Sequence, residues 1–246
     1  MSQLQVLKIL FKERYKDPTL QLMIPTMIVG YIFIPAFLEK GDFQPYSLVI
    51  SFIPVISLSE TIAFSLALRN IIFVLGDHLT NGSIVSFLMM PVKRITFFFY
   101  SYFLDVVLPY LFWVVTNYFY LADIGYINPL TNLLSLTYTA GYFFSTALIL
   151  FLTLFLKSNG ASTLASMFAL GSIFLVGGFG NYSLVQNNSP ALSITSFMNP
   201  YPLLLAYSFK QSSILLSFIY NGITVDFILA LILVLISLFL FKRIEV

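Results

Sequence analysis

Two carboxylic acids stand inside long apolar runs, Glu60 in SLSETIAF and Asp105 in SYFLDVVL. An ionisable group at bilayer depth is costly and normally faces protein or a water-filled path. Counted from the same side of two adjacent runs, each acid is roughly 12–15 Å deep at 1.5 Å per residue. Two readings are open. The pair forms a polar site in a pathway, suited to cations or hydroxyl-rich cargo. Alternatively, each carboxyl is protonated or hydrogen-bonded to Ser, Thr or Tyr and fixes helix packing. A third acid, Asp226, is expected near the start of the last apolar run, where negative charge complements the helix dipole. An intramembrane aspartyl protease is not supported, since neither SETIA nor YFLDV has a glycine near the acid.

The second group of chemically capable residues lies in Arg69–Arg94, RNIIFVLGDHLTNGSIVSFLMMPVKR. It holds the only histidine, His78, beside Asp77. Gly82-Ser83 is expected to start a short helix with Ser83 as its cap. Ile84, Phe87 and Leu88 give that helix an apolar face, and Pro91 closes it. Lys93-Arg94 then mark a membrane surface. Such a helix, parallel to the membrane, presents side chains to a soluble partner.

The elements carrying these residues are set by composition. The chain has 246 residues, 59% hydrophobic and 9% charged, with a mean hydropathy of +0.94. Soluble domains run near a quarter charged, so the solvent here is lipid. No cysteine is present, which excludes disulfides and thiolate metal sites. One histidine argues against a zinc centre. No nucleic-acid partner is expected. Six runs reach bilayer-crossing length: Leu22–Leu38, Tyr46–Leu68, Thr96–Tyr120, Leu133–Leu156, Ser162–Phe179 and Thr224–Phe241. The expected fold is therefore all-α, one polytopic membrane domain over residues 1–246.

Lysine and arginine orient it. With both termini cytoplasmic, Lys8, Lys12, Arg14, Lys16, Arg69, Lys93, Arg94, Lys157, Lys242 and Arg243 fall inside, and only Lys40 and Lys210 fall outside. No cleavable signal is expected at the start. Instead residues 1–18 read as an interfacial helix, with Leu4, Leu7, Phe11 and Tyr15 on one face and Lys8, Lys12 and Lys16 beside it. Asp17-Pro18 ends it, because proline disfavours helix in the residue before. Asn181-Tyr182-Ser183 and Asn187-Asn188-Ser189 are possible glycosylation acceptors on the outer side.

Three segments resemble the ABC-2 family of type V exporter permeases. TNGSIVSFLMMPVKR matches its Gly-Thr, short helix and Pro-x-Ser-Arg pattern at Gly82, Ser83, Pro91 and Arg94; the family's acidic positions fall on His78 and Thr80, with Asp77 one place earlier. MNPYPLLLAYSFK matches an Asn-Pro followed by a basic residue before the last span, at Asn199, Pro200 and Lys210. The layout of an N-terminal amphipathic helix, six spans and a long outer segment matches as well. The resemblance implies a six-span subunit that pairs with a second permease subunit, as homodimer or heterodimer. Two separate ABC ATPase subunits would bind ATP and Mg and dock on a coupling-helix region, 76–94. The Lys157–Ser162 turn would be a lesser contact, and residues 180–223 would form re-entrant outer helices. The cargo would be amphipathic or hydrophobic, and the chain itself no enzyme.

The sequence agrees on one point independently. No G-x-x-x-x-G-K-[ST] phosphate loop occurs, so any ATP-derived energy must come through another polypeptide. A proton- or cation-coupled secondary transporter using Glu60 and Asp105 is the alternative, and a membrane scaffold without transport is a third.

Overall fold

The computed structural model describes residues 3–15, 45–89, 92–187 and 189–244. The expected first span Leu22–Leu38, the Asp17-Pro18 stop, Lys16, Lys40 and Pro91 lie outside them. All regular structure among the described residues is helical. In chain order the elements are α1 (Gln3–Tyr15), α2 (Pro45–Leu68), a π-helical stretch π1 (Arg69–Leu75), α3 (Gly76–Thr80), α4 (Ile84–Leu88) and α5 (Arg94–Tyr102). Then come π2 (Phe103–Val107), α6 (Leu108–Asp123), α7 (Pro129–Leu156), α8 (Asn159–Gln186), α9 (Leu192–Thr195), α10 (Tyr201–Lys210) and α11 (Ser213–Lys242).

Among the described residues, five helices are long and apolar enough to cross a membrane: Val55–Thr80, Arg94–Asp123, Pro129–Leu156, Asn159–Gln186 and Ser213–Lys242. They suit a multi-pass membrane protein. Several of their surfaces are inverted relative to a soluble protein. On α8 the residues turned inward include Ser162, Ser166, Gly177 and Asn181, while Leu164, Phe168, Leu175 and Phe179 are exposed. Lipid removes the cost of that exposure, and small inward residues let helices approach closely.

α7 is the central helix, packed against α2, α8 and α11. Its start is fixed by a reciprocal capping box: Asn128 Oδ1 accepts from the Thr131 amide at 2.9 Å, and the Asn128 amide donates to Thr131 Oγ1 at 3.1 Å. Four hydroxyls along its buried face bond back to their own helix. Ser135, Thr137, Thr139 and Thr146 each donate to the carbonyl four residues back. These four side chains thus enter the apolar bundle with their donors satisfied, whereas Thr153 Oγ1 and Tyr138 Oη on the same helix have no partner among the described residues. Trp113, fully buried on α6, donates from Nε1 to Ser59 Oγ of α2 at 3.1 Å.

Several boundaries differ from the sequence expectation. The second span does not stop at Leu68; it runs on through π1 and α3 to Thr80, with Asn70, Ile71, Ile72 and Leu75 buried. Arg69 therefore stands within a helix and not at its end. The last helix starts at Ser213, eleven residues before Thr224, because SILLSFIYNGITV is itself a continuous apolar-rich helix former. With α8 extending to Gln186, the irregular part of the expected 180–223 segment shrinks to the stretch holding α9 and α10.

Candidate functional site

Two places concentrate polar chemistry. The first is the end of the bundle where α1, α3, α4, the Lys157 turn and the C-terminal end of α11 meet; nearly all described cations lie there, so it is called the basic end below. The second is a cavity midway along the bundle.

At the basic end α1 docks on π2. Val6, Leu10 and Arg14, four residues apart, form its buried face. Leu4 and Phe11, expected to lead the apolar face, are exposed, as an interfacial helix would leave them. Arg14 and Asp105 are 1% and 2% exposed and form a side-on ion pair: Nε donates to Oδ1 at 2.5 Å and Nη2 to Oδ2 at 3.4 Å. Burial by itself would lower the Arg14 pKa, but the Asp105 charge and hydrogen bond outweigh it and raise it. Tyr15 donates to the Leu104 carbonyl at 2.6 Å, and Tyr142 to the Val106 carbonyl at 2.8 Å. The wider π turn offers carbonyls that a regular α-helix would bond internally, and the two tyrosines take them. Arg69 donates from Nη1 to the Arg14 carbonyl at 3.2 Å and to Asn70 Oδ1 at 3.1 Å. Neither reading open for Asp105, a pathway site or a carboxyl protonated or held by Ser, Thr or Tyr, includes a basic partner; its partner is Arg14.

One level further out, His78 bridges two elements. Its Nε2 lies 2.7 Å from Glu13 Oε1 of α1, and its Nδ1 lies 2.8 Å from Ser83 Oγ. Burial works to raise the Glu13 pKa, but the His78 hydrogen bond and the charge of Arg14 prevail, and it stays below the usual carboxylate value. Ser83 holds the N-cap position of α4 but makes no capping bond: its backbone is already helical, and its hydroxyl meets His78. Gly82 takes φ +68°, a conformation that favours glycine. The Asp77 carboxylate accepts from the Asn159 side chain, and Thr80 Oγ1 donates to the Gly76 carbonyl at 2.9 Å, with the Lys157 carbonyl 3.4 Å away. Arg94 caps the end of α11, donating from Nη1 to the Lys242 and Ile244 carbonyls at 3.0 and 2.7 Å.

α4 is shorter than expected, and it is turned. Ile84 is buried, while Phe87 and Leu88 pack on the core, with the Phe87 ring 4.6 Å from His78. The apolar face points into this chain. What an outside partner can reach is Asn81, Gly82, Ser83, Ser86 and Met89, the last 72% exposed.

The mid-bundle cavity measures about 430 Å³ and is bounded by α2, α7, α8, the 197–204 stretch and α11. Glu60 lines it, and so does Asp226. Asp105 does not: the structure does not bring the two expected carboxyls to one site. Asp226 is only 3% exposed, and its Oδ1 has no hydrogen-bond partner among the described residues; the same holds for Tyr138 Oη. The expected role of Asp226 as a helix N-terminal charge is corrected: with α11 starting at Ser213, it lies about 20 Å along the helix. Asn199 and Pro200 border the cavity, Lys210 does not. Asn199 donates to the Phe174 carbonyl at 3.1 Å and accepts from the Tyr201 amide at 3.1 Å, opening α10. Asn181, a possible glycan acceptor by sequence, is fully buried and donates to the Thr195 and Asn199 carbonyls at 3.0 and 2.8 Å. Its amide is not available to a transferase.

No cluster of three metal-ligating side chains occurs among the described residues. No protein-family profile, curated protein or solved structure matches the chain.

Proposed function

We propose that the chain is the membrane subunit of an ABC-type exporter, driven by a separate ATPase that docks on the basic end. The observation that carries this is the α3–α4 corner. It stands between two long apolar helices and is braced at that end to α1 through His78 and to α8 through Asp77. A push on such a corner moves several helices at once. The excess of cations at that end suits the cytoplasmic side of a membrane, where ATP is available. Two copies, with an ATPase each, would enclose the pathway.

The docking surface in this account is Asn81–Ser83 with Ser86 and Met89, and the apolar side chains of α4 hold the corner to its own bundle. Purification from native membranes is expected to recover a phosphate-loop ATPase in equal amount with the chain. Ser86→Arg and Met89→Glu should release it without changing the thermal midpoint. Retention of the ATPase by both variants would refute the docking surface.

A second reading, a secondary carrier, is favoured by the carboxyl-lined cavity. It rests on Glu60 and Asp226 in place of Glu60 and Asp105. Transport by the purified chain under a proton gradient, with no ATPase, would establish it and end the first.

A further inference from the structure

We infer that the mid-bundle cavity is a binding site for a hydrophobic organic cation, one positive charge carried on an apolar or aromatic body. This deepens the exporter reading by giving the cargo a chemical class, and its test involves no ATPase. At about 430 Å³ the cavity falls in the range of small-molecule sites. Glu60 and Asp226 enter it from different helices, and among the described residues no Lys, Arg or His lines it. Each polar group removed from water normally finds a partner, yet Asp226 Oδ1 and Tyr138 Oη have none among the described residues.

The rest of the wall is mostly apolar, with aromatic rings that include Tyr142, Phe174 and Tyr201. Rings attract cations through their negative faces, most strongly away from water. The wall does not suit a small inorganic ion. A hard cation demands a shell of oxygens, and two carboxyls with a few hydroxyls in an apolar box do not replace one. A weakly hydrated organic cation needs no such shell. Its one charge would balance one carboxylate, the second carboxyl keeping its proton and serving as a polar contact, while its body covers the apolar wall.

The test uses tetraphenylphosphonium and tetraphenylborate, ions of like size and opposite charge, with the full chain in zwitterionic lipid nanodiscs and equilibrium dialysis as readout. The cation is expected to bind saturably, and the anion only to partition. Asp226→Asn and Glu60→Gln should each weaken binding at least about tenfold, the loss of one charged or polar partner. Gly171→Leu tests the place without touching a charge. Gly171 borders the cavity, and a Cβ built there meets no atom within 4 Å, so a larger side chain at the cavity wall is accommodated without displacing its neighbours. It should abolish binding while the thermal midpoint holds. Equal partition of both ions would overturn the site, as would unchanged affinity in the double carboxyl variant or in Gly171→Leu.

Discussion

Removing the Arg14 side chain should release α1 from the bundle. The pair it forms with Asp105 is almost wholly buried and makes two contacts, at 2.5 and 3.4 Å. Arg14→Met deletes one partner and leaves a carboxylate in the core without compensation. Breaking a buried pair in this way costs about 3–5 kcal/mol. The cost is local, because the pair joins one short helix to π2 and not the long helices to each other. It should therefore appear as opening of α1 ahead of global unfolding. At 1.4 kcal/mol per tenfold, amide exchange in α1 should accelerate roughly 100- to 4,000-fold in nanodiscs, with α7 unchanged. Asp105→Leu alone should also loosen α1, by stranding the guanidinium. The double variant should recover most of the loss, since an apolar pair replaces a buried ion pair at little net cost. Arg14→Lys should recover only part, because an ammonium cannot make the side-on two-point contact. If Arg14→Met changes exchange in α1 by less than about threefold, the pair does not hold the helix. If the double variant loses as much as the two single variants together, the residues are not coupled.

Other outcomes follow from named contacts. The Glu13 carboxyl lies below its ordinary value, so its stabilising contribution is present above that value, near 4.5, and is lost as pH falls through the lower folded value; α1 exchange should rise on acidification through that window, less so in Glu13→Gln. A Cβ at Gly177 would stand 2.4 Å from Met198 Cβ and 2.9 Å from its backbone, and one at Gly222 would stand 2.9 Å from the Ser196 carbonyl carbon. Gly177→Ala and Gly222→Ala should each lower stability by about 1–3 kcal/mol, read as thermal midpoint, by forcing the α9–α10 connection off α8 and α11. Phe87→Arg should destabilise the fold itself, unlike Ser86→Arg, because Phe87 packs on the core.

Helix content and the placement of cations at one end were legible in the sequence, since both rest on long apolar runs and on charges at their ends. The partners of the buried charges were not. Asp105 was visible as a costly acid, but its partner lies 91 positions away on a helix assigned to the membrane surface. The π turn that gives Tyr15 the Leu104 carbonyl has no composition signal in FLDVV. Asp226 was misplaced because the start of α11 was sought at Thr224, although the apolar pattern begins at Ser213. The Arg69–Arg94 segment was recognised as structured, yet half of it is the end of the preceding helix. The side chains taken for a docking face, Ile84, Phe87 and Leu88, serve the chain's own core. An apolar face read from sequence does not say which body it packs against.

The most direct test of the account is cross-linking at the α4 corner. The chain has no cysteine, so Met89→Cys supplies a single reactive thiol on a residue the core does not need. A short cysteine-to-lysine cross-linker applied in native membranes should join the chain to one phosphate-loop ATPase, and ATP or its absence should change the yield. Cross-links only to lipid or to a second copy of this chain, with no ATPase recovered in either nucleotide state, would contradict it.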